Sequence, residues 1–139
     1  MGLERFKEAQ QRDYGTALAE IKTGRKRSHW MWYIFPQIAG LGMTETSRHY
    51  AIKNIGEAKD YLADNELGPR LINICKALLQ LETNDAHQVF GSPDDLKLRS
   101  SMTLFNAVSA TSPVFGQVLD KFFDGQKDER TLLILGITA

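Results

Sequence analysis

Apolar residues in this 139-residue chain recur mostly three and four positions apart, the period of a helix that buries one face. The pattern is cleanest over residues 69–81, where Leu71, Ile74, Cys75, Leu78 and Leu81 share a stripe. Pro69 starts that stripe where a missing N–H costs nothing, because the first amides of a helix have no intrahelical partner. Ser92-Pro93 and Ser112-Pro113 repeat the device, each with a hydroxyl placed to cap and a proline to begin a helix. The first predicts a helix over 93–108 that buries Leu98, Met102 and Phe105, with Asp94 and Asp95 at the positive end of its dipole. The second predicts a helix over 113–123 that buries Phe115, Val118, Leu119 and Phe122, stopped by Asp124-Gly125.

Toward the N-terminus, Leu3, Phe6 and Gln10 begin a short helix expected to fail near Asp13. Asp13 then caps a second one carrying Tyr14, Leu18 and Ile21, with Gly24 as its stop. Residues 36–42, PQIAGLG, read as loop. Residues 44–52 and 55–63 form short helices, and 130–137 a closing helix or a strand. No alternating run is strong enough to build a sheet, and there is no repeat or linker. The expected class is all-α: one domain over residues 1–139, a compact array of about six to eight short helices rather than a four-helix bundle.

Composition narrows the function classes. Hydrophobic residues at 42% and charged ones at 24% are ordinary for a packed domain, so disorder is excluded. Lys+Arg and Asp+Glu both number 17, and the resulting zero net charge argues against non-specific nucleic-acid binding. A single cysteine, Cys75, cannot form an internal disulfide, which points to a reducing, cytoplasmic setting. The N-terminal residues carry no apolar signal region. The apolar runs at 30–35 and 132–135 fall far short of the ~18 residues a membrane span needs, so no membrane partner is expected.

Two stretches carry candidate chemistry. In the first, Arg25, Lys26 and Arg27 precede His29, Trp30, Trp32, Tyr33 and Phe35. Guanidinium and ammonium groups attract phosphate or carboxylate, while indoles stack on flat heterocycles. The competing reading makes Trp32, Ile34 and Phe35 core and the three cations a solvated helix end. In the second, Lys97 and Ser101 stand one turn apart on the 93–108 helix. A buried lysine beside a serine is a base beside a nucleophile; otherwise this is an ordinary polar helix face. Neither a metal nor a cofactor is expected, because His29, His49 and His87 lie far apart and Cys75 sits on a core face. Asp128 is a candidate acid or base if the 124–129 loop folds over a site.

The main functional expectation gathers Arg25, Lys26, Arg27, His29 and Trp30 with Arg48, His49, Arg70, Lys97, Arg99 and Ser101 around one pocket. Such a pocket takes an anionic small molecule, a nucleotide or an ADP-ribose-like metabolite, with His29 or His49 moving the proton in any hydrolysis or group transfer. The alternative presents Trp30, Trp32 or Tyr33 with Arg25 to a protein partner or to a second copy of the chain.

Five ordered blocks resemble a known family: GRKRSHWMWYIFPQIAGLG (24–42), SRHYAI (47–52), LGPRL (67–71), FGSPDDLKLRSSMTLF (90–105) and DGQKDERTL (124–132). Together they resemble the bacterial family called domain of unknown function 1810. The resemblance implies a compact, mostly helical fold and carries no activity, cofactor or catalytic residue. Some members bear the label calpastatin. That label conflicts with this chain, since inhibitors of that kind are long, disordered and repetitive, whereas this sequence is short, non-repetitive and able to bury a core.

Overall fold

The structure, a computed structural model, describes residues 2–137. Nine helices run in order through them: α1 (Glu4–Lys22), α2 (Met31–Ile34), α3 (Glu45–His49), α4 (Ile55–Ala63), α5 (Leu67–Leu79), α6 (Ala86–Phe90), α7 (Asp94–Asn106), α8 (Val114–Phe123) and α9 (Glu129–Leu135). The single extended pairing among the described residues is a parallel bridge between Ile38 and Ile52. The all-α expectation holds. None of these helices is long and apolar enough to cross a membrane.

α5 lies at the centre, packed against α1, α4 and α8, while α7 packs on α8, α6, α9 and α4. Four of the five stripe residues read from sequence are what α5 buries, Leu71, Ile74, Cys75 and Leu78, while Leu81 lies past the end of the helix and is half-buried. A line of rings crosses the core, with Phe6 edge-on to Tyr61 at 5.2 Å, Tyr61 to Phe105 at 5.2 Å and Phe105 to Phe115 at 5.8 Å. A second cluster joins Trp30, Phe35 and Phe90, with centroids 5.9–6.4 Å apart. Gln10, buried on α1, donates to Tyr33 O and to the Tyr61 hydroxyl, both at 2.8 Å, so its amide is not orphaned.

Several boundaries depart from the sequence pattern, each for a local reason. α1 runs unbroken through Asp13, whose carboxylate takes the Tyr33 hydroxyl proton donor and Arg12 Nε instead of capping a new helix. α5 starts two residues before Pro69, because Asp64 accepts from Glu66 N and Leu67 N at 3.0 and 2.9 Å. Pro69 still falls within the first turn, where no amide is needed. Ser92 does not cap α7; Pro93 occupies the cap position, and the first-turn amides of Asp95 and Leu96 reach Gly91 O and Pro93 O. Ser112 does serve α8, accepting from Val114 N at 3.2 Å. α6, which no periodicity signalled, is started by the Asp85 carboxylate on the amides of His87 and Gln88. The closing segment is a helix, not a strand, because Asp128 caps it through Thr131 N at 3.0 Å and Thr131 Oγ1 at 2.6 Å.

Candidate functional site

The basic segment is shaped by the end of α1. Gly24, at φ +83°, lets the chain reverse, and its amide and that of Arg25 return to Ile21 O and Glu20 O at 2.8 and 3.1 Å. The returning loop then wraps the Glu20 carboxylate, which accepts from Arg27 N, Ser28 N, Ser28 Oγ and Trp30 Nε1 at 2.6–3.0 Å. Partial burial pushes the Glu20 pKa up, but these hydrogen bonds overcome it and hold the group at about 2.

Lys26 turns inward from the same loop. Its side chain is only 8% exposed, with Nζ 2.6 Å from Ser28 O, 2.9 Å from Asp94 Oδ2 and 5.0 Å from the centre of the Trp30 ring. This ammonium fixes the loop to the start of α7 and is not free for a ligand. We expect Lys26→Met to cost about 2 kcal/mol in chemical denaturation, with Asp94 partly compensated by Lys97 at 3.7 Å. Asp94→Asn added to that variant should then cost much less than it does in the native background.

Beyond the loop, residues of α1, α2 and α3 and their flanks border a shallow, open recess of about 480 Å³. Its walls carry Trp32, Tyr33 and Tyr50, and its polar lining comes from Arg12, His29, His49, Glu45 and Thr46. Tyr33 and Tyr50 stand 5.1 Å apart, and the His49 ring lies edge-on to Tyr50 at 4.6 Å. The Arg12 guanidinium sits 5.9 Å from the Tyr33 ring centre, and Lys97 Nζ 5.8 Å from that of Trp32. Burial and the hydrogen bond to Asp13 both raise the Tyr33 pKa, so its hydroxyl stays a donor. A small crevice of about 20 Å³ opens off the same walls, between Trp32, Tyr50, Gln37 and Ser47. Gly42 lets the loop pack this closely on Ser47, since a Cβ there would stand 2.4 Å from Ser47 Cβ.

The structure gathers some of the sequence-predicted residues and disperses others. His29 and His49 reach the recess, and Lys97 stands over its Trp32 wall. Trp30 does not; it is 1% exposed, its N–H satisfied by Glu20, and Trp32 takes the role of the accessible indole. Lys26 is outside the lining, held in its ion pair with Asp94. Arg25, Arg27 and Arg48 are exposed outside the lining, with no ion pair among the described residues. Arg70 is on another side, between Glu66 at 3.6 Å and Gln10 at 3.5 Å, over Tyr14. Arg99 faces Asp128 near α9. Ser101 is fully buried and its hydroxyl has no hydrogen-bond partner, while Lys97 is turned to Asp94, so the two form no base–nucleophile pair. Asp128 is engaged as the cap of α9 rather than as an acid or base over the recess.

Arg12, Glu45, Thr46 and Tyr50 were missed as lining residues. Reading α1 as continuous would have carried Arg12 toward the aromatic segment, since its neighbour Asp13 then has no helix to cap. Nothing in the local pattern marks Glu45 or Thr46, which enter the lining because the chain just after α3 returns to α2, with Tyr50 5.1 Å from Tyr33.

Comparison with known proteins agrees on the fold. The conserved hypothetical protein Rv1873 from Mycobacterium tuberculosis, known from a crystal structure, superposes with a TM-score of 0.94 at 41% identity. The match covers 98% of this chain and 97% of that one. No curated protein matches the chain. The family model described as protein of unknown function (DUF1810) matches residues 1–135, and the chain therefore belongs to that family.

Proposed function

We propose that this protein binds an anionic small molecule carrying a flat ring, a nucleotide or an ADP-ribose-like metabolite, in the recess between α1, α2 and α3. One observation carries the reading: three aromatic walls and the side chains of Arg12, His29 and His49 converge on a single space of about 480 Å³. That size falls within the roughly 300–1,000 Å³ common for metabolite pockets. The ring stacks on Trp32 or Tyr50, and the anionic group is met by Arg12 and the two imidazoles. Any hydrolytic or group-transfer step falls to His29 or His49, because an imidazole can accept a proton on one nitrogen and donate one from the other. We place the protein in the cytoplasm, given that its one thiol, Cys75, is buried with no disulfide partner.

Titrating AMP, ADP and ADP-ribose into the protein is expected to quench Trp32 fluorescence saturably, with Trp30 silent in its buried site. Trp32→Leu should weaken binding by about tenfold or more, and ligand at about 100 times its Kd should add roughly 2.7 kcal/mol to stability. No quenching and no thermal stabilisation by any of the three at millimolar concentration would remove the proposal.

Of the residues that the interaction reading offers, Trp30 and Tyr33 are buried, at 1% and 5% exposure, while Trp32 is half-buried and Arg25 exposed. What favours a partner instead is the chain's end, where Leu133, Ile134 and Ile137 are exposed. A concentration-dependent dimer in light scattering, lost on Leu133→Lys, would support that reading over ligand binding.

A further inference from the structure

We propose a second anion site, independent of the Trp32 recess, where α7 meets the 124–128 turn and α9; it takes a ring-free phosphoryl or pyrophosphoryl group. Arg99 carries the argument. Its Nε is buried without a hydrogen-bond partner, and its guanidinium makes no hydrogen bond among the described residues. The nearest carboxylate oxygen, Asp128 Oδ1, is 3.7 Å away, an ion pair too long for a hydrogen bond. Asp128 cannot close that gap freely, because Oδ2 holds Thr131 N and Oγ1 at the start of α9. A guanidinium carries five donors in a planar fork, and one left without acceptors in a partly buried place calls for a bound oxyanion or water.

The surroundings supply the rest. A recess of about 820 Å³ opens there, and Lys127 and Arg130 join Arg99 in its lining. Neither Lys127 nor Arg130 enters an ion pair among the described residues. Against these three cations stand Glu129 and an Asp128 already engaged with its own helix. The frame is fixed, since Asp128 N–H donates to Thr103 Oγ1 at 2.9 Å and Thr103 Oγ1 donates to Arg99 O at 2.8 Å. Two further cations beside the forked Arg99 guanidinium favour a multiply charged, tetrahedral anion. The walls lack an aromatic ring and share no residue with the Trp32 recess, so a nucleobase gains nothing here.

The test follows the arginine Nε–Hε resonances of the full chain while inorganic pyrophosphate is added at constant ionic strength. The Arg99 resonance should shift saturably. The Lys127→Gln/Arg130→Gln double variant should weaken that binding about tenfold or more, Arg99→Lys should weaken it while keeping the charge, and Trp32→Leu should leave it unchanged. Absence of a saturable Arg99 shift through the millimolar range overturns the proposal. So does a linear shift shared by all arginines, which is screening alone, or a response equally lost in Trp32→Leu, which would make the two sites one. Tighter binding of citrate than of pyrophosphate would overturn the phosphoryl assignment.

Discussion

Gly68→Ala is expected to destabilise the protein by about 3–4 kcal/mol, although the same change in an unconstrained helix stabilises by up to ~1 kcal/mol. Gly68 lies in the first turn of α5, fully buried against the end of α4. A Cβ at this position would stand 2.1 Å from the Leu62 carbonyl oxygen and 2.9 Å from its carbon. Both atoms are backbone, so no rotamer change relieves the overlap, and α4 must separate from α5. That corner is held by Asp64, which accepts from Glu66 N and Leu67 N and pairs with Lys7 at 2.9 Å. Separation therefore loosens the cap of α5 as well as its packing. Urea denaturation checks the sign directly: a midpoint equal to or above that of the unsubstituted protein would show that α4 and α5 do not meet this closely.

Glu20→Ala should cost about 3 kcal/mol and release the loop that carries His29. Truncation leaves two backbone amides, the Ser28 hydroxyl and the buried Trp30 indole N–H without an acceptor. The same carboxylate gives the protein a specific acid sensitivity. Its pKa is depressed from 4.5 to about 2 in the folded chain, so its contribution is complete above pH 4.5 and is lost as the pH falls through about 2. The depression corresponds to roughly 3 kcal/mol, which partial solvent access reduces to about 2. Glu20→Gln, with no proton to take up, should lose about 2 kcal/mol less than the unsubstituted protein between pH 5 and pH 2. Parallel pH profiles for the two would show that the loop is not anchored here.

Where the sequence pattern was decisive, it was because burial follows a period. The stripes on α5, α7 and α8 are the faces those helices bury, and α4 has the bounds its apolar spacing predicts. Polar residues were harder, because their roles depend on partners distant in the chain. Asp13 has the local appearance of a cap, yet Tyr33, twenty positions on, takes its carboxylate. Asp128 does cap, which removed it from the candidate acids. For the site, residue type alone does not tell a cation that faces solvent from one that completes an internal pair. Lys26 and Arg27 are adjacent in the sequence, but one is buried against Asp94 and the other exposed. Glu20, the group that orders the whole basic loop, lies on the preceding helix, where it reads as one more surface acid. The indole was also misplaced by two residues: Trp30, just before α2, is turned inward with its N–H on Glu20, and Trp32 is left at the wall.

Histidine offers the most direct test of the central claim, because the three imidazoles are divided between the recess and the rest of the molecule. His29 and His49 line the recess, whereas His87 lies on α6, 3.5 Å from Asp95. In a titration with AMP followed through the imidazole proton resonances, the account predicts that His29 and His49 shift together along one saturable curve while His87 stays still. Unmoved resonances for His29 and His49 at saturating AMP, or a response at His87 alone, would contradict it.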